Sequence, residues 1–197
     1  MAKILYHRYM RIRYNAPVTL TFTIFTALLL TIDQLLHLGL IPAFFTVPGR
    51  GYFDFSNILS YLRLVTHAAG HQNWTHFMSN FAFILLLGPV LEEKHGSVSI
   101  AGMMLTTALV TGILNALFLS AGLMGASGIV FMMILLSSFT NIRKGEIPLT
   151  FLLIVILFLA KEVINSFQQN NISEFAHIIG GICGSLFGFS RGKSAKD

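Results

Sequence analysis

A serine in Gly125-Ala126-Ser127-Gly128 stands at the junction of two apolar runs, where the second begins. A serine hydroxyl is a weak nucleophile at neutral pH and needs a base within hydrogen-bond reach. The only histidine deep in the second half of the chain is His177, early in the last apolar run. A neutral imidazole accepts the serine proton and later returns it to a leaving amine. Ser127 and His177 are therefore read as a nucleophile and its base. His177, Gly180, Gly184 and Gly188 recur at intervals of three, four and four, on one helical face. A glycine stripe lets membrane helices approach closely, so the face with the histidine is also the face able to press on a neighbour. The stripe taken alone fits packing around a buried histidine equally well. His76 and Asn80 are four apart and share a face. Imidazole and amide N–H groups, with the backbone N–H of Ser127, suit a developing oxyanion. Taken alone, that pair reads first as a hydrogen bond between helices.

These side chains need elements to position them, and composition says where those elements sit. Of 197 residues, 54% are hydrophobic and 11% charged, with a mean hydropathy of +0.73. Soluble domains carry about a quarter charged residues. The chain reads as one all-α, polytopic integral membrane protein. Six segments approach the ~20 apolar residues of a spanning helix: 18–36, 74–91, 98–119, 126–140, 147–163 and 174–189. The fourth and sixth are short, which suits a thinned bilayer or a hydrated cavity. The loop 39–73 is too long for a plain connector. Its Phe44, Phe45, Tyr52, Phe53 and Phe55 suit the membrane interface, and short helices are expected there.

Orientation follows from the basic residues. With six spans, one face carries Lys3, Arg8, Arg11, Arg13, Lys94, Arg143, Lys144, Arg191, Lys193 and Lys196; the other carries Arg50, Arg63 and Lys161. Both termini are then cytoplasmic. The expected organisation is a cytoplasmic segment 1–16, a six-helix domain 17–190 and a cytoplasmic tail 191–197. The basic start leads into a full span without a small-residue cleavage site, which predicts a retained first helix. On this topology Ser127, His177, His76 and Asn80 fall at one depth, in the outer leaflet, and intramembrane polar groups of this kind default to function. Asp33 is expected at the interface. Glu174 is expected to cap its helix with Ser173, leaving a dyad rather than a triad.

Other chemistries fit less well. The esterase elbow needs glycine at 129, where isoleucine stands. His67, His71 and His76 suggest zinc, but His71 and His76 are five apart, off one helical face, with no carboxylate or cysteine beside them. No metal or cofactor is implied. The net charge of +5 sits mostly on one membrane face, so nucleic acid is not the partner. No inverted repeat is visible and the span centres lack charge, against a transporter or channel. Cys183 is the only cysteine, so no internal disulfide forms.

Gly125-Ala126-Ser127-Gly128 is similar to the Gly-x-Ser-Gly of the rhomboid intramembrane serine proteases. Ala176-His177 with Gly180 and Gly184 resembles their last-helix motif. His71, His76 and Asn80 resemble their pattern of two histidines and an asparagine, and Arg63, Gly88, Glu92 and Gly96 add further matches. The resemblance covers about residues 61–188. It implies a six-transmembrane-helix rhomboid-like bundle with a short fourth helix rising from a central cavity. It implies Ser127 as nucleophile and His177 as base. His76, Asn80 and the Ser127 amide would form the oxyanion hole, with Gly125 shaping it. Implied substrates are single-span membrane proteins cut near the outer surface, and membrane lipid is the other partner. The setting would be a prokaryotic cell membrane. Two departures stand out: Leu62-Arg63 replaces a Trp-Arg pair, and Phe131 replaces a tyrosine that often stacks on the histidine. The competing reading is a catalytically silent rhomboid-like protein that binds membrane clients.

Overall fold

The computed structural model describes residues 12–139 and 174–194, with positions 149, 152, 153, 156, 157 and 160 between them. Every element is a helix among the described residues; the sole extended pairing is an isolated bridge between Val47 and Leu123. The first helix, α1, is Pro17–Leu36, opening on a proline whose fixed φ suits a first helical position. Two short helices follow in the long loop, α2 at Leu40–Phe44 and α3 at Ile58–Thr66, with a 3-10 turn at His67–Ala69. Then come α4, Trp74–His95, and α5, Ser97–Phe118, separated by Gly96 at φ 81°. The short helix α6 is Ser127–Phe139 and the last, α7, is Glu174–Ser194. Among the described residues three helices, α1, α4 and α5, are long and apolar enough to cross a membrane. The segment 147–163, expected as the fifth span, lies almost entirely outside the described residues, as does Ser173.

Boundaries moved where polar residues found partners. The second span runs on to His95, past the apolar run, because Glu92 is buried and used. Ala16 provides no side-chain cap for α1. Instead the Glu92 carboxylate accepts from the N–H groups of Val18 (2.9 Å) and Thr19 (3.1 Å) and from the Thr19 hydroxyl (2.9 Å). An anion at a helix N-terminus satisfies its orphan donors and its dipole. One turn earlier, Gly88 lets Thr19 approach so closely that a Cβ there would lie 2.5 Å from its hydroxyl. Asp33 does the same for α2, accepting from the Leu40 N–H at 2.5 Å.

The core is built around α6. Met132, Met133 and Leu136 are fully buried, with Ile129 and Val130 close to it. A helix apolar on all sides must be enclosed, and α6 is packed by α4, α5 and α7. The outward faces of α1, α4 and α5 expose Ile24, Phe25, Leu28, Met78, Leu86 and Leu105. Exposed apolar surface on this scale calls for a lipid solvent rather than water.

The long loop docks on the end of the bundle where α4 and α6 begin. Gly112 of α5 lies under the Leu64 carbonyl, where a Cβ would come within 2.3 Å. The Arg63 guanidinium donates twice to the Ala43 carbonyl, with the Nε bond at 2.8 Å. Thr66 donates to the Phe44 carbonyl at 2.6 Å. Val47 and Leu123 exchange N–H···O bonds of 2.9 Å each, tying the loop to the turn before α6.

Candidate active site

Ser127 is the first residue of α6, and Ala126 closes the helix start by accepting from the Val130 N–H at 2.9 Å. The N–H groups of the first turn thus point out of the helix beside the serine. His177 is the fourth residue of α7 and is buried. The two helices meet along a seam with almost no side chain in it. A Cβ on Gly180 would lie 2.0 Å from the Gly128 carbonyl oxygen, and one on Gly184 would lie 2.2 Å from that of Met132. A Cβ on Gly128 would lie 3.3 Å from the Ala176 carbonyl oxygen. The neighbours of Ser127 and His177 in sequence are therefore in contact across the seam. Phe131, one turn after Ser127 on the same face, lies against the His177 ring at a centroid separation of 4.6 Å and 39°. Of the glycine stripe, Gly180 and Gly184 make the close approach; Gly188 lies further along, half-buried.

Among the described residues no hydrogen bond engages the Ser127 hydroxyl. Catalytic hydrogen bonds often close only when substrate is bound. The serine is half-buried, at the end of the core that the long loop covers.

His76 and Asn80 arrive together from α4. Asn73 starts that helix by accepting from the His76 N–H at 2.8 Å. Both side chains converge on Gly125, whose φ of +116° no L side chain adopts comfortably. A Cβ there would meet the His76 ring at 2.8 Å and the Asn80 amide nitrogen at 3.6 Å. Gly125 thus meets α4 at His76 and Asn80, while Gly128, three residues on, meets α7 at Ala176, the residue before His177. Ser127, Gly125, His76, Asn80 and His177 thus come together from α4, α6 and α7 and the turn before α6.

Two histidines left out of the expected site complete it. His67 donates nothing to the pocket, but its carbonyl accepts from the Gly125 N–H at 2.9 Å. Its ring lies against Thr111 at 3.4 Å. His71 is fully buried, with its Nε2 3.0 Å from the Asn80 amide nitrogen and 3.4 Å from the Ala126 N–H. Its ring is 4.9 Å from that of His76. Burial lowers both pKa values from the ordinary 6.5, to about 4 for His67 and about 3 for His71. In His71 the nearby charge of His76 adds to the effect. Both rings are neutral at physiological pH. The three histidines weighed as zinc ligands make the separate contacts given above. Helical periodicity gave no reason to pair His71 with Asn80, because His71 precedes the helix; only the resemblance grouped the two.

A serine and a histidine near the starts of two closely packed helices, with the His76 ring and the Asn80 amide beside the turn before the serine, can support acyl transfer. Known proteins are similar to this chain over the same region. A rhomboid domain model matches residues 59–194. The chain is 26% identical over 159 residues to rhomboid-like protein 11, chloroplastic, of Arabidopsis thaliana, covering 78% of this chain and 54% of that protein. It is 22% identical over 138 residues to rhomboid protease GlpG of Haemophilus influenzae, covering 68% of this chain and 72% of that one. The chain therefore spans about half the length of the plant relative. The matched region holds the glycine seam, the serine turn and all four histidines of the pocket. With its apolar helices and a family match over most of its length, this integral membrane protein belongs to the rhomboid family.

Proposed function

We propose that the chain is an intramembrane serine endopeptidase working through a Ser127–His177 dyad. What supports the reading most is Phe131, which holds the His177 ring against the face of α6 that begins with Ser127. The Ser127 oxygen attacks the scissile carbonyl carbon while His177 takes its proton. Negative charge gathers on the carbonyl oxygen, where the Asn80 amide, the His76 ring and the Ser127 N–H donate to it. Collapse breaks the C–N bond, and His177 gives its proton to the leaving amine. Water then attacks the acyl-serine ester with His177 again as base. The acid product leaves and the hydroxyl is restored.

The proposed substrates are single-span membrane proteins, unwound near the outer membrane surface so that a peptide bond hidden within a lipid-embedded helix becomes reachable. In this reading the domain covers 17–190 with six spans, both termini cytoplasmic, in a prokaryotic cell membrane. The test is a serine-directed fluorophosphonate probe in detergent, alongside cleavage of a panel of single-span proteins in liposomes. The native chain labels and cleaves; Ser127→Ala and His177→Ala do neither while keeping their thermal midpoint. Full labelling of Ser127→Ala, or a native chain that neither labels nor cleaves, leaves a silent client-binding protein as the better reading.

A further inference from the structure

His71 takes no part in the proposed bond-making steps, yet its Nε2 lies against both Asn80 and the residue before Ser127. The Ala126 N–H can only donate, so the His71 Nε2 that receives it at 3.4 Å must carry a lone pair. The same Nε2 lies 3.0 Å from the Asn80 amide nitrogen. A lone pair there requires Asn80 to present its NH2 and not its oxygen. With Nε2 unprotonated, the neutral ring carries its proton on Nδ1, facing the Ala69 carbonyl at 3.4 Å. Tautomer and amide orientation follow from one backbone N–H. Asn80 then commits one N–H to His71, and the second remains on a nitrogen 3.6 Å from where a Gly125 Cβ would be.

We infer that His71 is a positioning residue, fixing by its Nε2 lone pair both the Asn80 amide and the turn that delivers Ser127. The inference rests on the protease reading, since what it positions is the proposed oxyanion site. The groups facing His71 make its acceptor role hard to replace. His76 lies against the ring at 4.9 Å, and Phe77 and Phe81 enclose it at 5.7 and 5.5 Å. The ring is fully buried, and a ring enclosed by aromatics resists protonation. An apolar residue at 71 would free the Asn80 amide to rotate and leave the Ala126 N–H buried without a partner.

The proposal has an activity test and a test independent of activity. In liposome cleavage assays His71→Leu lowers kcat by up to roughly the 100-fold that loss of one oxyanion donor costs, with KM within about twofold. His71→Gln, whose amide oxygen takes the place of Nε2, recovers most of that loss. His71→Leu/Asn80→Ala is no slower than Asn80→Ala, because the two side chains act as one unit. Multiplicative losses in the double variant, or a folded Gln variant as slow as Leu, would overturn the assignment. The second test is 15N NMR of histidine-labelled native protein in detergent, with the His71 signals identified by their loss in His71→Gln. The expected spectrum has a pyridine-type Nε2 and a pyrrole-type Nδ1; a proton on Nε2 would overturn the proposal whether or not the protein cleaves anything. A native chain with the expected tautomer but without labelling or cleavage sinks the protease reading and, with it, this role for His71.

Discussion

Asn80 and His76 stand four residues apart on one helix and tens of residues from Gly125, yet they meet it within one van der Waals layer. Each has a distinct job there. In the proposed reaction the asparagine and histidine supply donors, and the glycine leaves them space. At φ +116° and with the His76 ring where a Cβ would stand, Gly125 admits no side chain without moving that ring. Gly125→Ala should therefore cost turnover on the order of 100-fold, comparable with losing one donor. Asn80→Ala and His76→Ala should each slow cleavage by about 100- to 1000-fold with the thermal midpoint nearly unchanged. Cleavage by the Asn80 variant at the native rate would remove that residue from the oxyanion site. Phe131 shows how one departure from the family pattern is absorbed. The phenyl ring stays in tilted contact with the His177 ring, so Phe131→Tyr should leave the placement of that ring intact.

At the scale of elements, the seam between α6 and α7 depends on the absence of side chains. Gly180 and Gly184 meet carbonyl groups of the opposite helix, which cannot yield, whereas a Cβ on Gly181 would sit 3.7 Å from the Leu135 side chain, an ordinary contact. Gly180→Ala and Gly184→Ala should each destabilise the fold by about 1–3 kcal/mol through overpacking, and Gly184→Leu by more. Gly181→Ala should be close to neutral. Thermal unfolding in detergent checks all four, and equal midpoints for the alanine variants at 181 and 184 would contradict the seam. Glu92 is the corresponding element-scale device between α1 and α4. Glu92→Ala leaves the first N–H groups of α1 without the carboxylate that receives them, at a cost of about 1–3 kcal/mol. Its expected sign is a lowered midpoint with a correspondingly smaller active fraction, and unchanged kcat per folded molecule.

For the molecule as a whole, acid should be the weak direction. His67 and His71 lie outside the spanning helices, and burial lowers them from 6.5 to about 4 and about 3. Above pH 6.5 the rings are neutral folded or unfolded and contribute no pH dependence. As pH falls below 6.5 the unfolded chain takes up protons that the folded chain refuses. Stability is therefore lost progressively from about pH 6.5 down to about 4 for His67, and further to about 3 for His71. Thermal midpoints measured across this window should fall with pH, and His71→Gln should flatten the lower part of the curve. A flat profile in both proteins would show that neither ring is buried neutral.

Much of this architecture is written locally in the chain. Apolar runs mark α1, α4, α5, α6 and α7 to within a few residues, and the shortness of α6 is visible in its run. Three-and-four spacing puts His177 with Gly180 and Gly184, and His76 with Asn80, because a helix repeats its faces every 3.6 residues. The motif spacing sufficed to suggest a rhomboid. Only the tertiary structure decided that Glu92 serves Val18, 74 positions away. It alone paired Val47 with Leu123 and placed His71 between Asn80 and Ala126. Periodicity reports which face of an element is buried; it is silent on which distant group a buried polar atom meets. That choice belongs to the packing of whole helices, where an unpaired donor or acceptor would be too costly to leave.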